Sequence, residues 1–197
     1  MKRLLARSAL ALLLSTPLVA PSHATTVLKV DVKAMTSLSE WVVRGRVVSV
    51  DNVVAADSGG PFTDVKIALD EIYRGPQNHD DLKTPDGAAP KELVIRLMGG
   101  KMDGGLAMKV PGMPRFAVGD AAVFFLERTA TGLIPAGLEQ GVWRLVKGPF
   151  GYEVVQQTVF DLNLVVRTAD GKLVPDAHGP HRSSRLLSSL VAEIRGR

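Results

Sequence analysis

Between residues 26 and 167 the chain keeps returning to short apolar segments rich in β-branched side chains, each interrupted by glycine, proline or aspartate before it reaches helical length. That spacing predicts a meander of short strands. Residues 63–72 place Val65, Ile67 and Leu69 on one face and Lys66, Ala68 and Asp70 on the other, the period of a half-buried strand. By the same reasoning strands are expected at 26–32, 41–50, 92–98, 121–127, 133–134, 142–146, 152–159 and 162–167, with one or two helical turns at 34–40. Gly45 interrupts the valine-rich run at 41–50 and predicts a bulge or sharp barrel bend. Asp170-Gly171 predicts a hairpin turn.

Two connections are long. Residues 76–91 are polar and read as a surface loop, whereas residues 99–115 hold five glycines and two prolines, too many for a regular element. Long ordered loops of this kind often carry function. The end of the chain changes period: Leu186, Leu187, Leu190, Val191 and Ile194 recur at helical intervals, which predicts one amphipathic helix over about 184–195. The expected fold is mainly β, a small antiparallel OB-like barrel with this C-terminal helix plugging or flanking it.

The first residues belong to a different argument. Lys2, Arg3 and Arg7 precede an apolar run, and Ser22-His23-Ala24 ends the segment with small residues around a cleavage site. This is the pattern of a secretory signal peptide over 1–24, leaving one domain over 25–197 in the periplasm or the medium. The apolar run is broken by Ser15, Thr16 and Pro17 and falls short of the roughly 20 residues of a spanning helix, so no transmembrane segment is expected after cleavage. The segment carries three basic residues and no acidic one, so its removal takes the net charge from +4 to +1. A nearly neutral domain without a basic stripe does not predict nucleic-acid binding. The chain has no cysteine, which excludes thiol catalysis and leaves stability to packing.

Several strings invite a chemical reading. Asp57-Ser58-Gly59-Gly60-Pro61 looks like a serine-protease nucleophile, but the base histidine precedes the aspartate and serine in that mechanism, and the only histidine before Ser58 is His23 in the signal segment. It is read as a turn. His79-Asp80-Asp81 and Asp176, His178 and His181 supply metal-ligand types, yet Gly179-Pro180 forbids the helix that would set two histidines on one face. They are read as solvated loops. Gly99-Gly100-Lys101 lacks the spacing of a phosphate loop, and no cofactor is expected. Met98, Met102, Met108 and Met113 are four of the chain's six methionines, gathered around one glycine-rich loop. Thioethers suit Cu(I), and methionine also serves as adaptable contact surface or core filler.

A longer pattern runs through Ser37-Leu38-Ser39, Val42-Val43-Arg44-Gly45-Arg46-Val47, Thr63-Asp64-Val65 and Ile72-Tyr73-Arg74-Gly75. It continues through residues 93–100, Val110-Pro111-Gly112-Met113-Pro114-Arg115-Phe116, Gly119-Asp120, Val123-Phe124-Phe125-Leu126 and Leu138-Glu139-Gln140-Gly141. Over residues 36–148 this resembles a family of exported, uncharacterised bacterial β-proteins, some of which are encoded near secreted matrixin-type metalloproteases. More distantly, residues 43–47, Arg74-Gly75 and residues 116–119 are similar to the netrin-like OB-fold module of metalloproteinase inhibitors. Those inhibitors chelate the protease zinc through an N-terminal cysteine, which this chain lacks, so the resemblance implies a barrel and a protease partner without that chemistry.

The function expected from these readings is a non-catalytic exported binding module that recognises another protein, a secreted metalloprotease being the class the resemblance implies. The contact residues expected in the loop are Lys101, Met102, Met108, Met113 and Arg115. The alternative is an envelope copper carrier, or a hydrolase, with its site in the methionine-rich or histidine-rich loop.

Overall fold

The structure is a computed structural model and describes residues 25–54, 60–76, 90–177 and 181–196. Residues 1–24, expected from sequence to be a signal segment, lie outside the described residues, as do Ser58, His79 and His178. In chain order the elements are β1 (Thr25–Leu28), α1 (Val32–Leu38), β2 (Trp41–Val54), β3 (Pro61–Arg74), β4 (Glu92–Met98), β5 (Gly100–Lys101) and β6 (Ala107–Met108). They continue with β7 (Ala121–Thr129), β8 (Gly132–Pro135), β9 (Val142–Lys147), β10 (Glu153–Val159), β11 (Leu162–Arg167), β12 (Leu173–Pro175), β13 (His181–Leu186) and α2 (Leu187–Ile194).

Strands β2, β3 and β4 form an antiparallel meander, and β7 returns antiparallel beside β2. The hairpin partner β8 pairs with β7 and meets β4 in parallel at Ile95 opposite Leu133. The order β2-β3-β4-β8-β7 therefore comes back to β2, which is a closed five-stranded barrel with OB connectivity. The second edge of β7 is shared: its C-terminal half carries β8, and Ala122, Val123 and Phe124 pair with Arg144, Trp143 and Val142 of β9. Beyond β9 the sheet extends through β10 to β13, while β1, β11 and β12 form a separate three-stranded sheet.

The apolar run in β7 has no polar face because both of its faces are covered. Trp41, Val43, Ile67, Ile95, Phe124 and Leu126 point into the barrel. Their neighbours Val42, Val123 and Phe125 point outward, where Met35 of α1 and Leu187 and Leu190 of α2 pack with Trp143 and Val155. Each such side chain contributes about 1.5–3 kcal/mol on burial. The C-terminal helix thus flanks the barrel, and both tryptophans are core. Among the described residues no helix is long and apolar enough to cross a membrane.

Three differences from the sequence expectation have physical causes. The C-terminal helix begins at Leu187, because Ser184, Arg185 and Leu186 belong to β13, paired with Gln156, Val155 and Val154 on the free edge of β10. The hairpin of β2 and β3 continues past its apolar part, with Asp51 opposite Asp64 and Asn52 opposite Thr63, since ladder hydrogen bonds do not require apolar side chains. The helix α1 starts earlier than expected, at Val32, because the Asp31 carboxylate caps it by accepting from the Ala34 N–H at 2.7 Å. The bulge expected at Gly45 is present, with the β2–β3 register shifting between Arg44 and Gly45.

Candidate functional site

The loop over residues 99–115 does two things in sequence. It first forms a short hairpin, with Gly100 opposite Met108 and Lys101 opposite Ala107, closed by a 3-10 turn at Asp103–Gly105. The base of the hairpin is tied to the barrel: the Gly99 N–H donates to Pro61 O at 2.9 Å, the Thr63 hydroxyl to Gly99 O at 2.9 Å, and the Lys101 N–H to Asn52 Oδ1 at 2.9 Å. Its tip is not covered. Met102 is 42% exposed, Leu106 68% and Met108 40%.

The second half returns to the barrel. The Met113 N–H donates to Val110 O, Pro114 is buried, and Met113 and Phe116 pack against the barrel core. The Phe116 ring lies 5.7 Å from that of Phe124. Arg144 lies over the Phe116 ring at 5.2 Å, pairs with Asp120 at 2.8 Å and donates to Arg115 O. Of the five contact residues expected from sequence, Lys101, Met102, Met108 and Arg115 are exposed, whereas Met113 is half-buried on the barrel. Its contribution is to seat the loop.

Residues 109–115 stand as a ridge between two cavities. One, of about 440 Å³, opens towards Val50, Leu97, Met98 and the hairpin; the other, of about 430 Å³, opens towards Glu139, Arg144 and Arg182. Lys109, Met113, Pro114 and Arg115 line both. Lys109 is paired with Asp161 at 2.7 Å. Among the described residues Lys101 and Arg115 have no ion-pair partner, so the exposed hairpin and ridge combine apolar side chains with uncompensated positive charge.

Several carboxylates elsewhere face arginines. Asp64 holds Arg96 through two bonds of 2.7 and 2.6 Å, Glu71 holds Arg195 at 2.8 Å, and Asp70 lies 3.9 Å from Arg44. Among the described residues no group of three or more His, Asp or Glu is placed to hold a metal ion. The thioethers of Met102 and Met108 are the exposed soft donors of the loop.

One feature escaped the sequence reading. Residues 149–152, Pro-Phe-Gly-Tyr, form the turn between β9 and β10 and leave Phe150 98% exposed at φ 60°, a backbone region that side chains rarely adopt. Proline and glycine in the string signal the turn, but nothing in it signals that the ring faces solvent. No protein-family model, no curated protein and no solved structure matches this chain.

Proposed function

We propose that this chain is a non-catalytic binding module that acts outside the cytoplasm once residues 1–24 are removed, and that it recognises another protein through residues 99–115. The observation that carries this reading is the contrast within the hairpin. Its base is held by three hydrogen bonds to the barrel, while Met102, Leu106 and Met108 at and beside its tip extend into solvent. A partner that covers them gains about 25 cal/mol per Å² of apolar surface, and the anchored base lowers the entropy lost on ordering. Methionine adapts its shape to the surface it meets.

Lys101 and Arg115 favour a partner face that carries carboxylates, which steers the encounter and sets its orientation. A secreted metalloprotease is the partner class suggested by the resemblance. Without cysteine, the chain engages such an enzyme by surface contact rather than by chelating its zinc. Engagement of Asp64 and Glu71 by arginines supports the non-catalytic part of the reading.

The test uses the purified protein as bait in the producer's secreted and envelope fractions, with cross-linking at lysine and mass-spectrometric mapping. Cross-links from Lys101 or Lys109 to one partner support the reading. A partner cross-linked reproducibly through another face, with none at these lysines, refutes it.

A further inference from the structure

The turn between β9 and β10 presents an aromatic side chain that the fold does not use. Phe150 occupies the left-handed region at φ 60° and ψ 19°, where a residue with a Cβ is disfavoured, and Gly151 beside it occupies the same region at φ 80° without that strain. The Phe150 ring is 98% exposed and Tyr152 is exposed as well. Strain held at a position whose side chain packs on nothing points to a role for the ring outside the fold.

Behind the turn lies a cavity of about 630 Å³, walled by Tyr73, Tyr152 and Val191 and edged by Glu71, Glu153 and Arg195. It shares no lining residue with either cavity beside the ridge. Its polar groups are held in place: Arg195 pairs with Glu71 at 2.8 Å and lies over the Tyr73 ring at 5.6 Å, and Arg44 grips Glu153 through bonds of 3.1 and 2.5 Å. Each carboxylate keeps lone pairs for a further donor.

We infer that this cavity and its aromatic turn form a carbohydrate-binding site for a neutral hexose-type oligosaccharide. The C–H face of a sugar ring stacks on Tyr152 in the cavity wall, and its hydroxyls donate to Glu71 and Glu153 and accept from Arg195. Phe150, which stands on the turn next to the lining residue Gly151, offers a stacking face to the next sugar unit. The charge of the site discriminates among ligands. Glu71 and Glu153 are each paired with an arginine, Arg195 and Arg44, so the rim is charge-balanced. It offers no net attraction to a nucleic-acid phosphate or an anionic lipid headgroup, and an entirely apolar partner would bury these ion pairs at a desolvation cost. A neutral ligand with one apolar face and a rim of hydroxyls satisfies both constraints. The site is additional to the protein-binding loop and does not depend on it.

The purified protein is titrated with chitotetraose, cellotetraose and maltotetraose, followed by calorimetry and by saturation-transfer NMR. Saturable binding of at least one sugar is expected, weakened about tenfold by Tyr152→Ala and by Phe150→Gly. Phe150→Gly removes the ring and the backbone strain together, so its melting temperature is expected to equal or exceed that of the parent. Absence of saturable binding for all three sugars overturns the inference, as does binding indifferent to both substitutions. A lower melting temperature for Phe150→Gly also overturns it, because the ring would then be serving the fold.

Discussion

Replacing Gly45 with alanine tests the bulge that lets β2 and β3 approach closely. A Cβ at this position meets Ala68 O at 2.5 Å and Ile67 Cγ2 at 2.6 Å, whereas ordinary contact begins near 3.4 Å. The carbonyl belongs to the backbone of β3, and Ile67 is fully buried in the barrel core, so neither yields by a simple rotation. Strands β2 and β3 must separate by most of the roughly 0.9 Å shortfall, in the overpacking class that costs about 1–3 kcal/mol, and a backbone clash falls at the upper end. For a chain of this size about 3 kcal/mol corresponds to a melting point lower by about 6–12 °C. Thermal and urea unfolding followed by circular dichroism measure it. Because part of the clash is with a side chain, Gly45→Ala combined with Ile67→Ala is expected to cost less than the sum of the two, by about 1 kcal/mol. A Gly45→Ala melting point within about 2 °C of the parent would mean that the strands have room for a Cβ at the bulge and that no clash operates there.

Gln140 is a buried side chain that acts as a strand partner: its Oε1 accepts from the Val30 N–H at 3.0 Å and its Nε2 donates to Leu28 O at 3.0 Å. Gln140→Leu leaves both backbone groups unpaired and is expected to cost about 1–3 kcal/mol, with faster hydrogen exchange at Val30; unchanged exchange there counts against the pin. Burial, with the Glu71 carboxylate beside it, pushes the Tyr73 phenol up to about 12. The folded state keeps that proton longer than the unfolded chain does, so this contribution to stability is complete below pH 10 and is lost as pH rises from 10 towards 12. Tyr73→Phe is expected to show a shallower alkaline loss than the parent in paired urea titrations, and equal slopes would contradict the assignment. Intact mass of the protein recovered from the producer's envelope or medium is expected to begin at Thr25; retention of residues 1–24 would remove the export argument.

Much of the barrel was legible because its strands announce themselves through alternation or through apolar runs with β-branched residues. The segment 63–72 shows the first, and Ala121–Thr129 shows the second, since the helices cover its outer face. Strand β13 was not legible: its Arg182, Ser183, Ser184 and Arg185 have no apolar alternation, and they form a strand only because β10 offers an edge. The closure of the barrel was also hidden, since it rests on one parallel bridge between Ile95 and Leu133, far apart in the chain. In the loop, the cluster of methionines was visible as composition. The split that exposes Met102 and Met108 but seats Met113 on the barrel depends on the turn from Val110 to Met113, which directs the chain back over Phe124. Phe150 shows the reverse case, in which the turn is legible and the fate of its ring is not.

Whether residues 99–115 bind another protein is decided by Met102→Ala, Leu106→Ala and Met108→Ala combined in one chain. These side chains are exposed, so their truncation is expected to shift the melting temperature by no more than about 2 °C. Affinity for the partner captured from the secreted fraction is expected to fall about tenfold or more, because the apolar contact is gone. The same variant in a Cu(I) titration separates the two roles of the thioethers: no stoichiometric Cu(I) uptake by the parent is expected, hence none to lose. A variant that binds the partner as the parent does would rule out this loop as the binding surface. So would a loss of about 2–5 kcal/mol per methionine in folding stability, the signature of core side chains, or stoichiometric Cu(I) binding by the parent that the triple substitution abolishes.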